Sequence, residues 1–350
     1  MGGQNDNHSG TAHGKLAASR AARPEVTAVS GVNSFLGRNL VGLLEEDEGV
    51  ERLIALDIAR PRTAGAKTRF YQVDLTSPAV ASRLTEILNA EGVSTFVHLA
   101  FPTNPSHATP WAHELQSVGT MHVLNACLER RVTKFVLGSS TLVYGALPSN
   151  PNFIDEHQQA QGLVGCDFVM DRIDAERQVD RFAASLPECA VTTLRFAHIL
   201  GPTVDNYIAR WLSRRFVITA LGFDPLLQFV HEADALAALK LAIDRDVRGR
   251  YNVVSGGVLP VSMLLKLAGR AKLPLPSSLL RAALKLLWAT HLVEPPPGLE
   301  PCLRFLCVAD GERARQELGF VPTFTARDAA LDFGGALRLR QARLLHEVGG

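Results

Sequence analysis

Gly31, Ser34 and Gly37 recur at three-residue intervals within VTAVSGVNSFLG (26–37), and Asp57 follows twenty residues later. Apolar, β-prone residues run into Gly31, and a helical pattern opens at Phe35 and continues through Leu40, Leu43 and Leu44, so the glycines fall on a strand-to-helix turn. Such a turn suits a dinucleotide pyrophosphate. The backbone can bend sharply and approach phosphate oxygens, with helix N–H groups and the positive end of the helix dipole aimed at the anion. Gly31 and Gly37 supply the outer glycines of a G-x-x-G-x-x-G pattern, and Ser34 stands at the middle position with Phe35 and Leu36 behind it. Asp57 ends a second short strand, where a carboxylate can accept a hydrogen bond from an adenosine ribose 2′-hydroxyl. It would repel a 2′-phosphate, which favours NAD, while Arg60 and Arg62 just beyond it leave NADP open.

The elements that must position these groups alternate. Strands are expected at 26–30, 52–56, 69–73, 95–99, 134–137 and 191–196, with helices at about 35–46, 78–91, 109–130 and 166–185. This order predicts an α/β fold with a doubly wound parallel sheet, in which ligands bind beyond the carboxyl ends of the strands. After Phe196 the regularity loosens. A helix is expected at 233–243, a strand at 251–254, and helices at 261–271, 277–291, 311–318 and about 326–346. The expected organisation is a disordered tail at 1–24, containing His8 and His13, and a dinucleotide-binding domain at 25–200 with contributions from about 229–255. A smaller, mainly helical substrate domain is expected at 201–350.

Bulk properties exclude several classes. The 350 residues hold 36 basic and 35 acidic side chains, so charge gives no reason to expect nucleic acid or an anionic membrane as partner. No apolar run is long enough to span a bilayer, and the N-terminus lacks a signal-peptide core. The five cysteines, Cys127, Cys166, Cys189, Cys302 and Cys307, have no C-x-x-C spacing and read as core residues of a reducing compartment, with the cytoplasm as default. His157, His198 and His231 lack metal-ligand spacing, so no metal site is expected.

Several further segments resemble the extended short-chain dehydrogenase/reductase family, the NAD-dependent epimerase/dehydratase group, over about residues 25–330. VTAVSGVNSFLG resembles its nucleotide-binding turn, Asp57 its ribose-binding acid, and Asp74-Leu75 its adenine-contacting pair. His98-Leu99-Ala100 resembles the segment that passes along the cofactor, and SSTLVYG (139–145) the motif after strand five. LRFAHILGP (194–202), YNVVSG (251–256) and RARQELGFVP (313–322) resemble later landmarks. The resemblance implies a Rossmann sheet, an NAD cofactor, a homodimer formed through the helices at 109–130 and 166–185, and a nucleotide sugar or similar small polar substrate. It also implies that Ser140 holds the substrate carbonyl.

The resemblance departs from its pattern at the catalytic pair. The family carries Tyr-x-x-x-Lys before an acid-rich segment; aligning that segment with IDAERQV (173–179) puts Phe168 at the tyrosine and Arg172 at the lysine. Phenylalanine cannot titrate, and Arg172 stays charged but can still hydrogen-bond the nicotinamide ribose. Tyr71, Tyr144, Tyr207 and Tyr251 all lie outside this helix, Tyr144 reading as a packing residue. Asp167, Asp171 and His198 are the nearest other titratable groups, and Ser140 is equally readable as a cap. Arg195, Arg210, Arg214, Arg215 and Arg304 are candidates to meet a diphosphate, each also readable as a solvated or ion-paired surface cation. Two functions follow: an NAD(P)-binding epimerase/dehydratase-like oxidoreductase acting on a hydroxyl or keto group at a non-standard site, or a non-catalytic NAD(P)-binding regulatory or scaffold protein.

Overall fold

A computed structural model describes residues 25–348; the expected tail, with His8 and His13, lies outside the described residues. The first half runs β1 (Glu25–Ser30), α1 (Phe35–Glu46), β2 (Val50–Asp57), β3 (Thr68–Gln72), α2 (Val80–Glu91), β4 (Thr95–His98), α3 (Thr109–His113), α4 (Gly119–Arg130), β5 (Lys134–Ser140), α5 (Asp167–Ser185) and β6 (Ala190–Phe196). The second half runs β7 (His198–Leu200), α6 (Tyr207–Ser213), β8 (Phe216–Ala220), β9 (Leu226–Leu227), β10 (Phe229–His231), α7 (Glu232–Asp244) and β11 (Gly249–Val253). It closes with β12 (Leu259–Pro260), α8 (Val261–Leu267), β13 (Ala271–Leu275), α9 (Ser277–Ala289) and α10 (Ala326–Val348).

Seven strands form one sheet in the order β11-β6-β5-β4-β1-β2-β3, every neighbour parallel. This is the doubly wound α/β sheet that the alternation predicts. Its two faces follow from the period-two geometry of strands. Ala28, Phe96 and Phe135 point into a core with α2, α4 and α5, while their chain neighbours Val29, Val97 and Val136 point into the opposite core with α1 and α7. The strand order reverses between β1 and β4, which opens a crevice at their carboxyl ends.

Several expectations are corrected. The helix expected at 109–130 contains a π turn at Glu114–Val118 between α3 and α4. The helix expected at 311–318 is in turn partly a π turn, at Ala314–Leu318, and the region after Phe196, mainly helical as expected, also carries strand pairs that were not, β7 with β10, β9 with β12 and β8 with β13. The strand β13 also stops the helix expected at 261–271, which ends at Leu267. Strands of two to five residues carry too little alternation to register as a pattern. Among the described residues no helix is long and apolar enough to cross a membrane.

Glu91 at the end of α2 ties the sheet edge together. Its carboxylate accepts from Arg52 Nη1 at 3.1 Å, Arg69 Nη1 at 3.0 Å and the Tyr71 hydroxyl at 2.5 Å. Burial pushes its pKa up, but the hydrogen bonds from Tyr71 and Arg69 outweigh burial and hold the carboxyl below the usual range. A carboxylate with a depressed folded pKa adds stability that is complete above its unfolded pKa and is lost as pH falls through the folded one. Glu91→Gln should therefore cost about 1–2 kcal/mol at neutral pH, discounted for the exposure of Arg69, and progressively less in acid. Urea denaturation at neutral and acidic pH measures this, and an equal cost at both would contradict it.

Candidate functional site

The glycine turn is built as the spacing requires. Gly31 has φ of +76°, and a Cβ there would come within 2.5 Å of the Ala100 backbone nitrogen and the Leu99 carbonyl; one on Gly37 would lie 2.1 Å from the Gly31 oxygen. Both positions need hydrogen as side chain. Ser34 at the middle position is the N-cap of α1: its Oγ accepts from the Gly37 N–H at 3.0 Å. The N–H groups of Phe35 and Leu36 remain as first-turn donors without an intrahelical partner, and no acidic side chain sits in that turn to compete with an anion.

Asp57 ends β2 and faces the same turn. Its Oδ2 accepts from the Asn33 N–H at 2.9 Å and its Oδ1 from the Ile58 N–H at 2.7 Å, while Asn33 Nδ2 donates to the Ala59 carbonyl at 2.5 Å. The acid therefore fixes the turn, and each oxygen keeps a lone pair for a ribose hydroxyl. Arg60 and Arg62 are exposed beyond it. Asp74 is also exposed, and its Oδ1 accepts from the Thr76 N–H and hydroxyl at 2.9 and 2.7 Å; Leu75 is buried against the start of α4. His98, buried behind the turn, is held neutral because burial brings its pKa down to about 3. The Thr120 hydroxyl donates to the Gln116 carbonyl at 2.5 Å, so it accepts from His98 Nε2–H, which leaves Nδ1 to accept from Ser30 Oγ at 2.6 Å.

A pocket at the carboxyl ends of the strands joins these parts to the second half of the chain. Ser34, Phe35, Leu36 and Leu99 line one side, with Gly138, Ser139 and Ser140 at the end of β5. Phe168, Arg172, His198 and Tyr207 line the other. Ala100, Asp57, Asp74 and Leu75 lie outside this pocket, Ala100 directly behind Gly31. Ser140 Oγ accepts from the Leu142 N–H at 3.3 Å, capping the short turn Thr141–Tyr144, so its own hydrogen is left to donate into the pocket. The cap reading of Ser140 is the one the structure displays.

Arg172 and Phe168 lie together on α5. The guanidinium is 5.0 Å from the Phe101 ring centroid and 5.5 Å from that of Phe168; it reaches the Pro102 carbonyl at 3.5 Å, and its buried Nε has no partner among the described residues. Burial brings its pKa down to about 10, which still leaves it charged at neutral pH. A half-buried cation with an unused donor beside a helix N-terminus fits an electron-rich guest, and the glycine cradle and Asp57 fit a dinucleotide.

The structure adds a residue that sequence reasoning did not select. Asn206 caps α6 by accepting from the Ala209 N–H at 2.9 Å and donates to the Ile199 carbonyl at 2.7 Å, which fixes the start of α6 against β7. Tyr207 is thereby held edge-on to Phe168, ring centroids 6.1 Å apart, with its hydroxyl 3.2 Å from His198 Nδ1. Burial pushes the Tyr207 phenol well above its ordinary value, partly offset by Arg172, and lowers His198 to about 4. The Tyr207 ring therefore stands beside the Phe168 ring, but arrives from another helix. The Asn-Tyr step before a helical run was the available signal.

Other candidates are occupied. Asp171 Oδ1 is 2.8 Å from His113 Nδ1, and Asp167 and Asp171 line a separate recess with Trp288. Tyr144 is buried, with its hydroxyl donating to Asn252 Oδ1 at 2.8 Å, as its packing reading expects. Arg195 is a correction: it is buried, paired with Glu176 at 2.5 Å and stacked on Tyr144, while Glu176 also accepts from Ser139 Oγ. It braces the wall behind Ser140, and its burial, with Nη1 unpaired among the described residues, keeps it from the surface where a diphosphate would meet it.

Comparison with known proteins agrees with this fold. The chain is 32% identical over 318 residues to an uncharacterized protein of Mycobacterium tuberculosis, covering 89% of this chain and 83% of that protein. The structure resembles UDP-glucose 4-epimerase of Thermotoga maritima solved with UDP-glucose (TM-score 0.70, 18% identity, 90% of this chain and 99% of that one). It also resembles UDP-glucuronic acid 4-epimerase of Bacillus cereus solved with UDP-glucuronic acid and NAD (TM-score 0.69, 16% identity, the same coverage). A family model matches residues 27–254, and the chain belongs to the NAD-dependent epimerase/dehydratase family.

Proposed function

We propose that this protein is an NAD-dependent oxidoreductase of the epimerase/dehydratase type, acting on a hydroxyl or keto group of a small molecule at a non-standard site. The observation that carries it is the convergence of Ser140, Arg172 and the Tyr207–His198 pair on the pocket entered by the first turn of α1. Gly31, Ser34, Phe35, Leu36, Gly37 and Asp57 would hold the dinucleotide, with Asp74, Leu75, Leu99 and Ala100 along it. A nicotinamide bound there supplies or accepts the hydride. Ser140 donates a hydrogen bond to the reacting oxygen, and Tyr207 gives that oxygen its proton as charge develops on it. Arg172 stabilises the phenolate left behind, which regains its proton from water.

Because Tyr207 is pushed well above its ordinary pKa, the resting site holds a proton to give and not a base to receive one. That suits Tyr207 to protonating a carbonyl oxygen as hydride reaches its carbon. Nucleotide sugars, which the solved relatives were crystallised with, are the first substrate class to test. A homodimer through α4 and α5 belongs to the same proposal, supported by exposed Met121, Leu128 and Met170 on those helices.

Phe168 at the family's tyrosine position favours a second reading, a dinucleotide-binding protein without turnover. Calorimetric titration of cofactor-stripped protein with NAD, NADH, NADP and NADPH tests both. Asp57 should make the NAD pair bind at least about tenfold tighter than the phosphorylated pair, a difference of roughly 1.4 kcal/mol. Binding by none of the four removes both readings, and binding without reduction of any ketone or keto sugar selects the second.

A further inference from the structure

On the far side of His198 and Tyr207, which line both spaces, lies a second, larger cavity of about 380 Å³. Its walls are mainly hydrocarbon. Ile208 and Trp211 face it from α6, Leu284 and Leu287 from α9, and Leu299 and Leu303 from the following turn. Leu280, Leu284 and Leu287 fall on one face of α9, and this is why a helix with only Leu280 fully buried is nonetheless amphipathic. The helix is fastened over the cavity by His107, whose ring stacks on Trp288 at 3.6 Å and whose Nε2 donates to the Val293 carbonyl at 2.9 Å. The lining reaches the surface at Phe216 and Leu292, both more than half exposed.

The charges around this cavity cancel. Among the described residues its wall carries Arg210 and Arg214 against Glu294 and Glu300. Arg210 is already committed, with Nε 2.8 Å from Asp205 and Nη1 2.5 Å from Glu294. Arg304 is likewise held 3.4 Å from Glu300 and stacked on Phe223 and Phe305. A diphosphate entering here would bring two negative charges to a wall where Arg214 is the cation without an ion pair, and would leave its oxygens among leucines at a large desolvation cost. A hydrocarbon group gains by the same walls, about 25 cal/mol for each Å² removed from water.

We propose that the substrate carries an extended hydrocarbon group that fills this cavity while its keto or hydroxyl group lies against Ser140 and Tyr207. The proposal rests on the oxidoreductase reading for the reacting end, and on the cavity alone for the apolar end. His198 and Tyr207 line both spaces, so the two adjoin, and an amphipathic molecule would reach from one to the other past these two side chains.

The test is calorimetric binding of 2-alkanones from 2-butanone to 2-decanone, and of UDP-glucose, to full-length protein with and without NADH. Affinity is expected to rise about fourfold for each methylene that enters the cavity, the fold-change corresponding to roughly 0.8 kcal/mol per CH₂. Leu287→Trp, which fills the cavity, should weaken 2-decanone by at least about tenfold and flatten the series, with NADH affinity unchanged. Leu284→Phe repeats the test on a smaller change in volume, and the wild-type series stands without either variant. Affinity independent of chain length, or UDP-glucose bound more tightly than every ketone, overturns the proposal. Failure to bind NADH, or ketone binding without reduction, counts against the oxidoreductase reading and leaves the chain-length result to decide the cavity.

Discussion

Tyr207→Phe is expected to lower NADH-dependent ketone reduction by about 10²–10⁴-fold, the range for removing a positioned general acid, with NADH affinity changed by less than about twofold. The substitution keeps the ring that packs edge-on to Phe168 and removes only the hydroxyl bonded to His198, so the stability cost should be about 1 kcal/mol. The pH profile provides a second readout. Burial lowers His198 to about 4 and lifts Tyr207 well above its ordinary value, so neither group changes charge between mildly acidic and mildly alkaline pH. The wild-type reduction rate should be flat there, and should fall only as pH passes above the ordinary tyrosine range and the acid is lost. Adding Phe168→Tyr to the Tyr207→Phe variant restores a phenol from the neighbouring ring, above which Arg172 lies, and should recover at least about tenfold of the loss. A purely structural Tyr207 would show no such recovery. Steady-state kinetics on the three proteins measures this, and a Tyr207→Phe enzyme at the wild-type rate removes Tyr207 from the chemistry.

What was legible in the sequence was what is local. The turn from Gly31 to Gly37 and the start of α1 depend on residues within one turn of each other, and α1 occupies the expected 35–46. The parallel sheet was legible because its central strands bury both faces and most strands are separated from the next by a helical pattern. Ser34 looked like a missing glycine from spacing alone; its hydroxyl, bonded to the Gly37 N–H, shows it to be a cap. Tyr207 was passed over because its place beside Phe168 depends on Asn206 bonding to Ile199 and on α6 docking against β7, neither of which has a periodic signature. The burial of Arg195 has no local signature, because its partner Glu176 comes from another element, brought to it only by the packing of α5 on β6. The short strand pairs of the second half were illegible for the same reason: their stability comes from neighbours remote in sequence and not from their own pattern.

Gly37→Ala should abolish the dinucleotide site and destabilise the fold together. A Cβ at Gly37 would stand 2.1 Å from the Gly31 oxygen and 2.9 Å from the Gly31 carbon and the Val32 Cα, all of them backbone atoms. No rotamer change relieves such contacts, so α1 must move away from the turn. Because Gly31 is itself pressed against Leu99 and Ala100, the turn cannot yield in the other direction. The displaced helix carries with it the Phe35 and Leu36 N–H donors and breaks the Ser34 cap. The expected cost is about 3 kcal/mol in stability, at the upper end of overpacking, with NADH affinity down by at least about tenfold. Gly42→Ala is the control on the same helix: a Cβ there meets nothing within 4 Å, so the substitution should stabilise α1 by up to about 1 kcal/mol and leave NADH binding unchanged. Urea denaturation and NADH fluorescence titration of the two variants measure both effects. If Gly37→Ala matches Gly42→Ala in both, the close approach of α1 to the glycine turn does not hold the cofactor site in shape.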